Sequence, residues 1–241
     1  MTERQIYKCR SYYSQKLAPE LLPKTLMNIY HSLFAYFGPQ NWWPADTKIE
    51  IIVGAILTQA VSWRNVEQAI ANLKEQSCID IKCLKNIEEK DIARLIKPAG
   101  YYNMKAKKIK AFIKFLTQNY NDDLQKMFTI EKAKLREELL SVYGVGPETA
   151  DSIMLYAGEY PSFVVDSYSK RIFYRLGLVK EDIRYHDLKN MLENNLDSDV
   201  KIYNEYHALL VELGKNYCTK NEPDCKDCPL INNKIIRKME C

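Results

Sequence analysis

Leu139–Met154 reads LLSVYGVGPETADSIM. Two helical patterns flank Gly144-Val145-Gly146, and Pro147 stands where the second helix begins, at its first position. Two glycines this close let the chain turn tightly and bring backbone N–H groups near a partner with no Cβ between them. Aimed outward beside the positive end of a helix, those N–H groups suit a phosphate oxygen. The same residues also serve an ordinary helical hairpin that needs glycine for its turn, and spacing by itself does not choose between the two.

Apolar residues on both sides of this stretch recur at helical spacing. Over 23–37, Leu26, Ile29, Tyr30, Leu33, Phe34 and Phe37 make one face, stopped by Gly38 and Pro39. Asp46 is expected to cap a helix through Ile49, Ile52, Val53, Ile56 and Leu57. Ser62 is expected to cap the next, through Val66, Ala69, Ile70 and Leu73. A short helix runs from Asp91 to Ile96 and breaks at Pro98 and Gly100. Residues 103–118 predict a strongly basic amphipathic helix with Ile109, Phe112, Ile113 and Leu116 inside. Helical patterns follow at 131–141, 147–158, 166–176, 185–194 and 200–214, and the strand-like VVD at 164–166 is too short to matter. No fixed-period repeat and no Gly/Ser linker interrupts them. The predicted fold is all-α, about ten helices with short connections.

Composition agrees. A chain of 241 residues, 46% hydrophobic and 27% charged, suits one or two compact domains and argues against disorder. Eight Gly and nine Pro disfavour a turn-rich β-sandwich. No apolar run approaches the roughly 18 residues of a membrane span. The start, MTERQIYKCR, lacks the apolar core of a signal peptide, so the expected compartment is cytoplasmic. A net charge of +4 permits an anionic partner without demanding one. Seven cysteines without a secretion signal point away from disulfides and towards thiols or metal.

LLSVYGVGPETA resembles the helix-hairpin-helix element of the endonuclease III superfamily of DNA glycosylases. The resemblance continues in VVDSYSKRIFYRLGL, in GAILTQAVSW and IKPAGYYNMKAKKI upstream, and in the Cys-rich tail. It covers roughly residues 24–230, with five blocks in order. It implies a six-helix domain at about 40–160 holding the hairpin at about 139–154. It implies a second helical domain from 1–39 plus 161–241, with a cysteine cluster loop at 218–241 and the active site in the cleft between domains. The implied partner is damaged double-stranded DNA, bound by a monomer associated with the nucleoid. Gly144, Gly146 and Thr149 would grip its backbone, with Lys105 and Lys170 as further phosphate contacts. Lys105, Lys107, Lys108, Lys110 and Lys114 crowd one helix, and such a run more often means only a solvated face.

Taken from the residues, Asp166 is a plain helix N-cap. The resemblance makes it the catalytic carboxylate, an anion beside the sugar of an extruded nucleotide. Breaking the bond from sugar to base builds positive charge on the sugar, which a fixed carboxylate stabilises while it orients water. Lyase-competent members carry a Lys two residues past the second hairpin glycine; this chain has Glu148 there. A carboxylate cannot form an imine, so the expected enzyme is monofunctional and uses water.

All three tryptophans, Trp42, Trp43 and Trp63, fall in one short region with Pro44. As core residues they need no explanation. The arrangement WWP…GAILTQ…W is similar to the 3-methyladenine glycosylase branch, where such aromatics sandwich an alkylated, cationic base. Gln59 matches the residue that fills the gap left by the extruded base, and Lys215 a pocket lysine of some branch members that can be carbamylated.

Cys218-x6-Cys225-x2-Cys228-Pro229-Leu230 is the most specific spacing in the chain, selecting iron–sulfur or zinc. By resemblance it is a structural [4Fe–4S] loop. The fourth ligand expected after five more residues is replaced by Lys234, which leaves Cys241 to close the site. Cys9, Cys78 and Cys83 lack metal spacing and read as bystanders. The function expected is hydrolysis of alkylated purines (3-methyladenine, 7-methylguanine) from DNA without lyase activity. The rivals are an endonuclease III-type glycosylase and AP lyase on oxidised pyrimidines, and a non-catalytic iron–sulfur DNA-binding protein.

Overall fold

The computed structural model describes residues 19–231. Those residues form twelve α-helices and no strand. In chain order they are α1 Leu22–Phe37, α2 Lys48–Leu57, α3 Trp63–Glu75, α4 Ile81–Asn86, α5 Glu89–Leu95 and α6 Tyr102–Tyr120. There follow α7 Leu124–Met127, α8 Lys132–Ser141, α9 Pro147–Ser152, α10 Ser167–Arg175, α11 Tyr185–Glu193 and α12 Val200–Asn216. The all-α expectation holds. None of the described helices is long and apolar enough to cross a membrane. The chain divides into two compact units, Trp43–Ser162 and Met1–Trp42 with Phe163–Cys241.

In the first unit α2 is the central rod, with Ile49 and the run from Ile52 to Leu57 buried. Periodicity explains the rest: Ile109, Phe112, Ile113 and Leu116 of α6 face inward, three and four residues apart. Asp46 does not cap α2. Thr47 does, its hydroxyl accepting from the Glu50 N–H, because Lys74 of α3 draws Asp46 and Glu50 into ion pairs of 2.7 Å each. The helices α4 and α7 escape a reading by period, with six and four residues, but each starts on an Asp cap, Asp80 and Asp123. The helix expected over 147–158 changes winding at Ile153–Ala157, a π-helical turn.

Cys78 and Cys83 are not bystanders. They form a disulfide across the turn from α3 to α4, their Cα atoms 5.1 Å apart, a separation that disulfide geometry accepts. Closing so short a loop removes about 2 kcal/mol of chain entropy from the unfolded state. Reductant is therefore expected to lower the melting midpoint by about 4–8 °C. A Cys78→Ser/Cys83→Ser variant should melt at the lower temperature in both conditions, and a wild-type midpoint indifferent to reductant would refute the staple.

In the second unit α12 packs on α10 and α1. Phe163 lies edge-on to Tyr203 and Tyr206, at 5.2 and 5.8 Å, and Tyr206 Oη donates to the Leu26 carbonyl at 2.8 Å. The VVD segment is a buried extended strut. Phe163 donates its N–H to Glu193 Oε1 at 2.8 Å and accepts from Lys189 Nζ at 3.1 Å, so both ends of its peptide are held by α11. That anchored strut delivers Asp166 to the start of α10.

Candidate active site and nucleic-acid interface

The hairpin forms as its glycines require. Gly144 has φ +81°, which strains any residue with a Cβ, and a Cβ there would lie 2.3 Å from Lys108 Cγ, so the Lys108 side chain would have to move. Gly146 caps α9, and a Cβ on it would meet nothing within 4 Å, which leaves that backbone open to a partner. Thr149 is buried and does not offer its hydroxyl outward: Oγ1 accepts from Gln59 Nε2 at 2.9 Å. Gln59 Nε2 also donates to the Gly144 carbonyl at 3.0 Å, and its Oε1 accepts from Lys108 Nζ. The Thr149 hydroxyl is spent in this network, which bears on its side chain and not on its backbone N–H, and Gln59 must leave it before it can fill a gap in a duplex.

Lys105 is also corrected. It shares the inward face of α6 and is buried, its Nζ donating to the carbonyls of Leu57 at 2.9 Å and Ala99 at 2.7 Å. A phosphate cannot reach it. Burial, and then Lys108, lower its pKa from 10.5 to about 8. Two N–H bonds suffice for two carbonyls, so the neutral amine satisfies the site. Between about pH 8 and 10.5 the unfolded chain holds the proton that the folded chain has released, so stability rises with pH over that window. Relative to Lys105→Met, wild type is expected to gain up to about 3 kcal/mol between pH 7.5 and 10.5, read from urea midpoints. Parallel pH profiles for the two proteins would disprove it.

Trp43 and Trp63 do meet, but not as the slabs of a sandwich. Their rings stand edge to face, 5.2 Å apart at 87°, and Tyr156 joins Trp43 at 5.3 Å. No base fits between rings already in contact. The three form one aromatic wall, seated on Gly54, where a Cβ would sit 2.8 Å from the Trp43 ring. Pro44 is exposed beside it. Trp42 is half-buried and belongs to the other unit, since the division falls between the two adjacent tryptophans.

Asp166 is buried at the N-cap of α10 in a capping box with Ser169. Oδ1 accepts from the Ser169 N–H at 2.7 Å and from its hydroxyl at 2.9 Å. His207 Nε2 stands 3.6 Å from Oδ2. Burial pushes the carboxyl up, and His207 with Ser169 outweighs it, so the group lies below the ordinary carboxylate value and is ionised at neutral pH. Lys170 is half-buried on the same helix. Lys215 is exposed and lines a depression of about 390 Å³ with Tyr168, Arg171 and Lys220.

Arg171 and Arg175 of α10 hold the start of the cysteine loop. Arg171 Nε donates to the Cys218 carbonyl at 2.8 Å, and Arg175 Nη1 to the Thr219 carbonyl at 2.6 Å, with Cys218 Sγ 3.4 Å away. Cys218, Cys225 and Cys228 are free thiols. The donor type suits an iron–sulfur cluster. Even so, among the described residues no three Cys, His, Asp or Glu side chains converge closely enough to hold a metal ion. Cys241 and Cys9 lie outside the described residues.

Sequence reasoning missed His207 and Tyr156. His207 carries no local signal, being 41 residues from the carboxylate it faces.

The matched family model, HhH-GPD superfamily base excision DNA repair protein, spans residues 53–198 and so includes the hairpin, the aromatic wall at Trp63 and Tyr156, and Asp166. The chain belongs to that superfamily. It is an enzyme family acting on DNA, and this chain is similar over nearly its whole length to individual members. A Methanocaldococcus jannaschii protein bearing the provisional name DNA repair glycosylase MJ1434 is 49% identical over 207 residues, 85% of this chain and 93% of that protein. The crystal structure of H. pylori 3-methyladenine DNA glycosylase (MagIII) bound to 1,N6-ethenoadenine matches with a TM-score of 0.67. It is 26% identical, over 83% of this chain and 98% of that one. A non-covalent endonuclease III–DNA complex shares the fold at a TM-score of 0.75 and 19% identity, over 92% and 98% of the two chains.

Proposed function

We propose that this protein is a monofunctional glycosylase, acting as a monomer on damaged double-stranded DNA and hydrolysing the N-glycosidic bond of alkylated purines such as 3-methyladenine and 7-methylguanine. The observation that carries the reading is the pairing of an ionised, buried Asp166 with a hairpin that offers Glu148, not an amine, on its second helix. A base alkylated at ring nitrogen is already a good leaving group, so one carboxylate that stabilises the sugar cation and orients water is enough. The aromatic wall of Trp43, Trp63 and Tyr156, with Pro44 beside it, supports a π-rich surface for a cationic base. Likeness to the H. pylori 3-methyladenine glycosylase supports the same substrate class. Gly144 and Gly146 grip the DNA backbone, Lys170 is a further phosphate contact, Gln59 serves as wedge once it leaves Thr149, and Lys215 contacts the extruded base.

Two end-labelled duplexes test this, one methylated at purines and one carrying thymine glycol, each analysed with and without hot alkali. Base loss on the methylated duplex, with breaks only after alkali, is the expected result. A second reading, an endonuclease III-type lyase, is favoured by one observation: the Lys108 amine is held beside the hairpin by Gln59. Direct breaks at thymine glycol would establish it in place of the first. Absence of base loss on both duplexes would favour the non-catalytic rival.

A [4Fe–4S] cluster on Cys218, Cys225, Cys228 and Cys241 is the cofactor we propose, with a structural role. Its support is the choice of three thiols in a loop whose start two arginines already hold. Protein purified without oxygen is expected to carry about four irons per chain, and Cys228→Ser should lose them. A full-length chain free of iron and sulfide would rule the cluster out.

A further inference from the structure

Asp166 commits one oxygen to the fold. Oδ1 takes both Ser169 bonds of the capping box, whereas Oδ2 lies outside the cap and faces His207 of α12. Each of the two side chains belongs to a residue only 9% exposed, so the pair sits out of bulk water. A carboxylate turns readily about its terminal torsion. One oxygen held by Ser169 and a second addressed by His207 define its plane. At 3.6 Å the contact is a long ion-pair contact, less tight than the two Ser169 bonds to Oδ1.

We propose that His207 is a positioning residue for Asp166, holding Oδ2 in the direction from which it meets the sugar and the attacking water. The inference rests on the reading of Asp166 as the catalytic carboxylate. Burial by itself favours the neutral acid, and a neutral acid stabilises no cation. The groups that act against burial are His207 from α12 and Ser169 from α10. Ser169 is spent on the helix start, so removing the imidazole takes away the partner of the working oxygen and leaves the helix cap intact.

The test uses the full chain with His207→Leu, His207→Gln and Asp166→Asn. Single-turnover excision is measured on the methylated duplex, and affinity on a duplex carrying a tetrahydrofuran abasic analogue. His207→Leu is expected to slow excision about tenfold or more, with affinity unchanged within about twofold. His207→Gln puts an amide N–H near the place of Nε2 and should recover most of the rate. A wild-type rate in His207→Leu overturns the proposal, as does equal slowing of both His207 variants. Asp166→Asn separates the two failures: full activity there removes the reading of Asp166 itself. A second measurement needs no substrate. The Asp166 carboxyl carbon, followed by NMR, should titrate at higher pH in His207→Leu than in wild type, and an unchanged titration also overturns the proposal.

Discussion

Asp166→Asn is expected to reduce base excision by about a thousandfold or more while the fold and duplex affinity survive. Asparagine caps a helix about as well as aspartate, so the start of α10 remains. What disappears is the negative charge that the proposed mechanism sets beside the reacting sugar. The wild-type carboxylate is ionised because His207 and Ser169 outweigh the effect of burial. A carboxyl depressed in the folded state contributes stability above its unfolded value and loses it as pH falls through the folded one. The variant should accordingly lose less stability than wild type on acidification. Single-turnover rates and acid titrations of thermal midpoints measure both effects. Residual excision within about tenfold of wild type would remove Asp166 from the chemistry.

The largest stability effect is expected at Arg136. From α8 it donates Nε at 2.8 Å and Nη2 at 3.0 Å to the two oxygens of Asp151, and Ser162 Oγ adds a bond of 2.7 Å. Asp151 is fully buried on α9, the second helix of the hairpin. Arg136→Leu takes the bidentate guanidinium away from that buried charge, which costs about 3–5 kcal/mol. For a chain of this size the midpoint should fall by about 10 °C or more. Changing both partners, Arg136→Leu with Asp151→Leu, is expected to recover much of the loss, because the penalty lies in keeping the carboxylate buried without its guanidinium more than in the missing pair. A single variant within about 1 kcal/mol of wild type in urea would show that the pair does not brace the hairpin.

Much of the fold was legible residue by residue. The apolar spacing of α1, α2 and α6, the stop at Gly38-Pro39, and the Gly144–Gly146 turn with Pro147 behind it are local signals. So is the cap at Asp166, visible as an acid before a helical pattern. The candidate site was legible only in its residue types. Lys105 stands in a run of lysines that reads as a solvated face, yet it falls four residues before Ile109 on the inward face, and a carbonyl 48 positions away accepts a hydrogen bond from its Nζ. Cys78 and Cys83 carry no metal spacing, and only the turn between α3 and α4 brings them into bonding range.

Local sequence preferences set most helix boundaries and the turn that needs glycine, because backbone dihedral preference, capping and 3.6-residue periodicity act over a few neighbouring residues. The start of α2 is the exception, where Lys74 of α3 draws Asp46 from the cap. Only the tertiary structure decided which polar side chains are spent within the fold and which remain for chemistry. Gln59 and Thr149 bind each other across 90 residues, Trp43 and Trp63 meet edge to face, and His207 comes to Asp166 from α12. Those choices follow from burial. A buried donor or acceptor must find a partner within hydrogen-bond reach, and the packing of distant helices selects which one it finds.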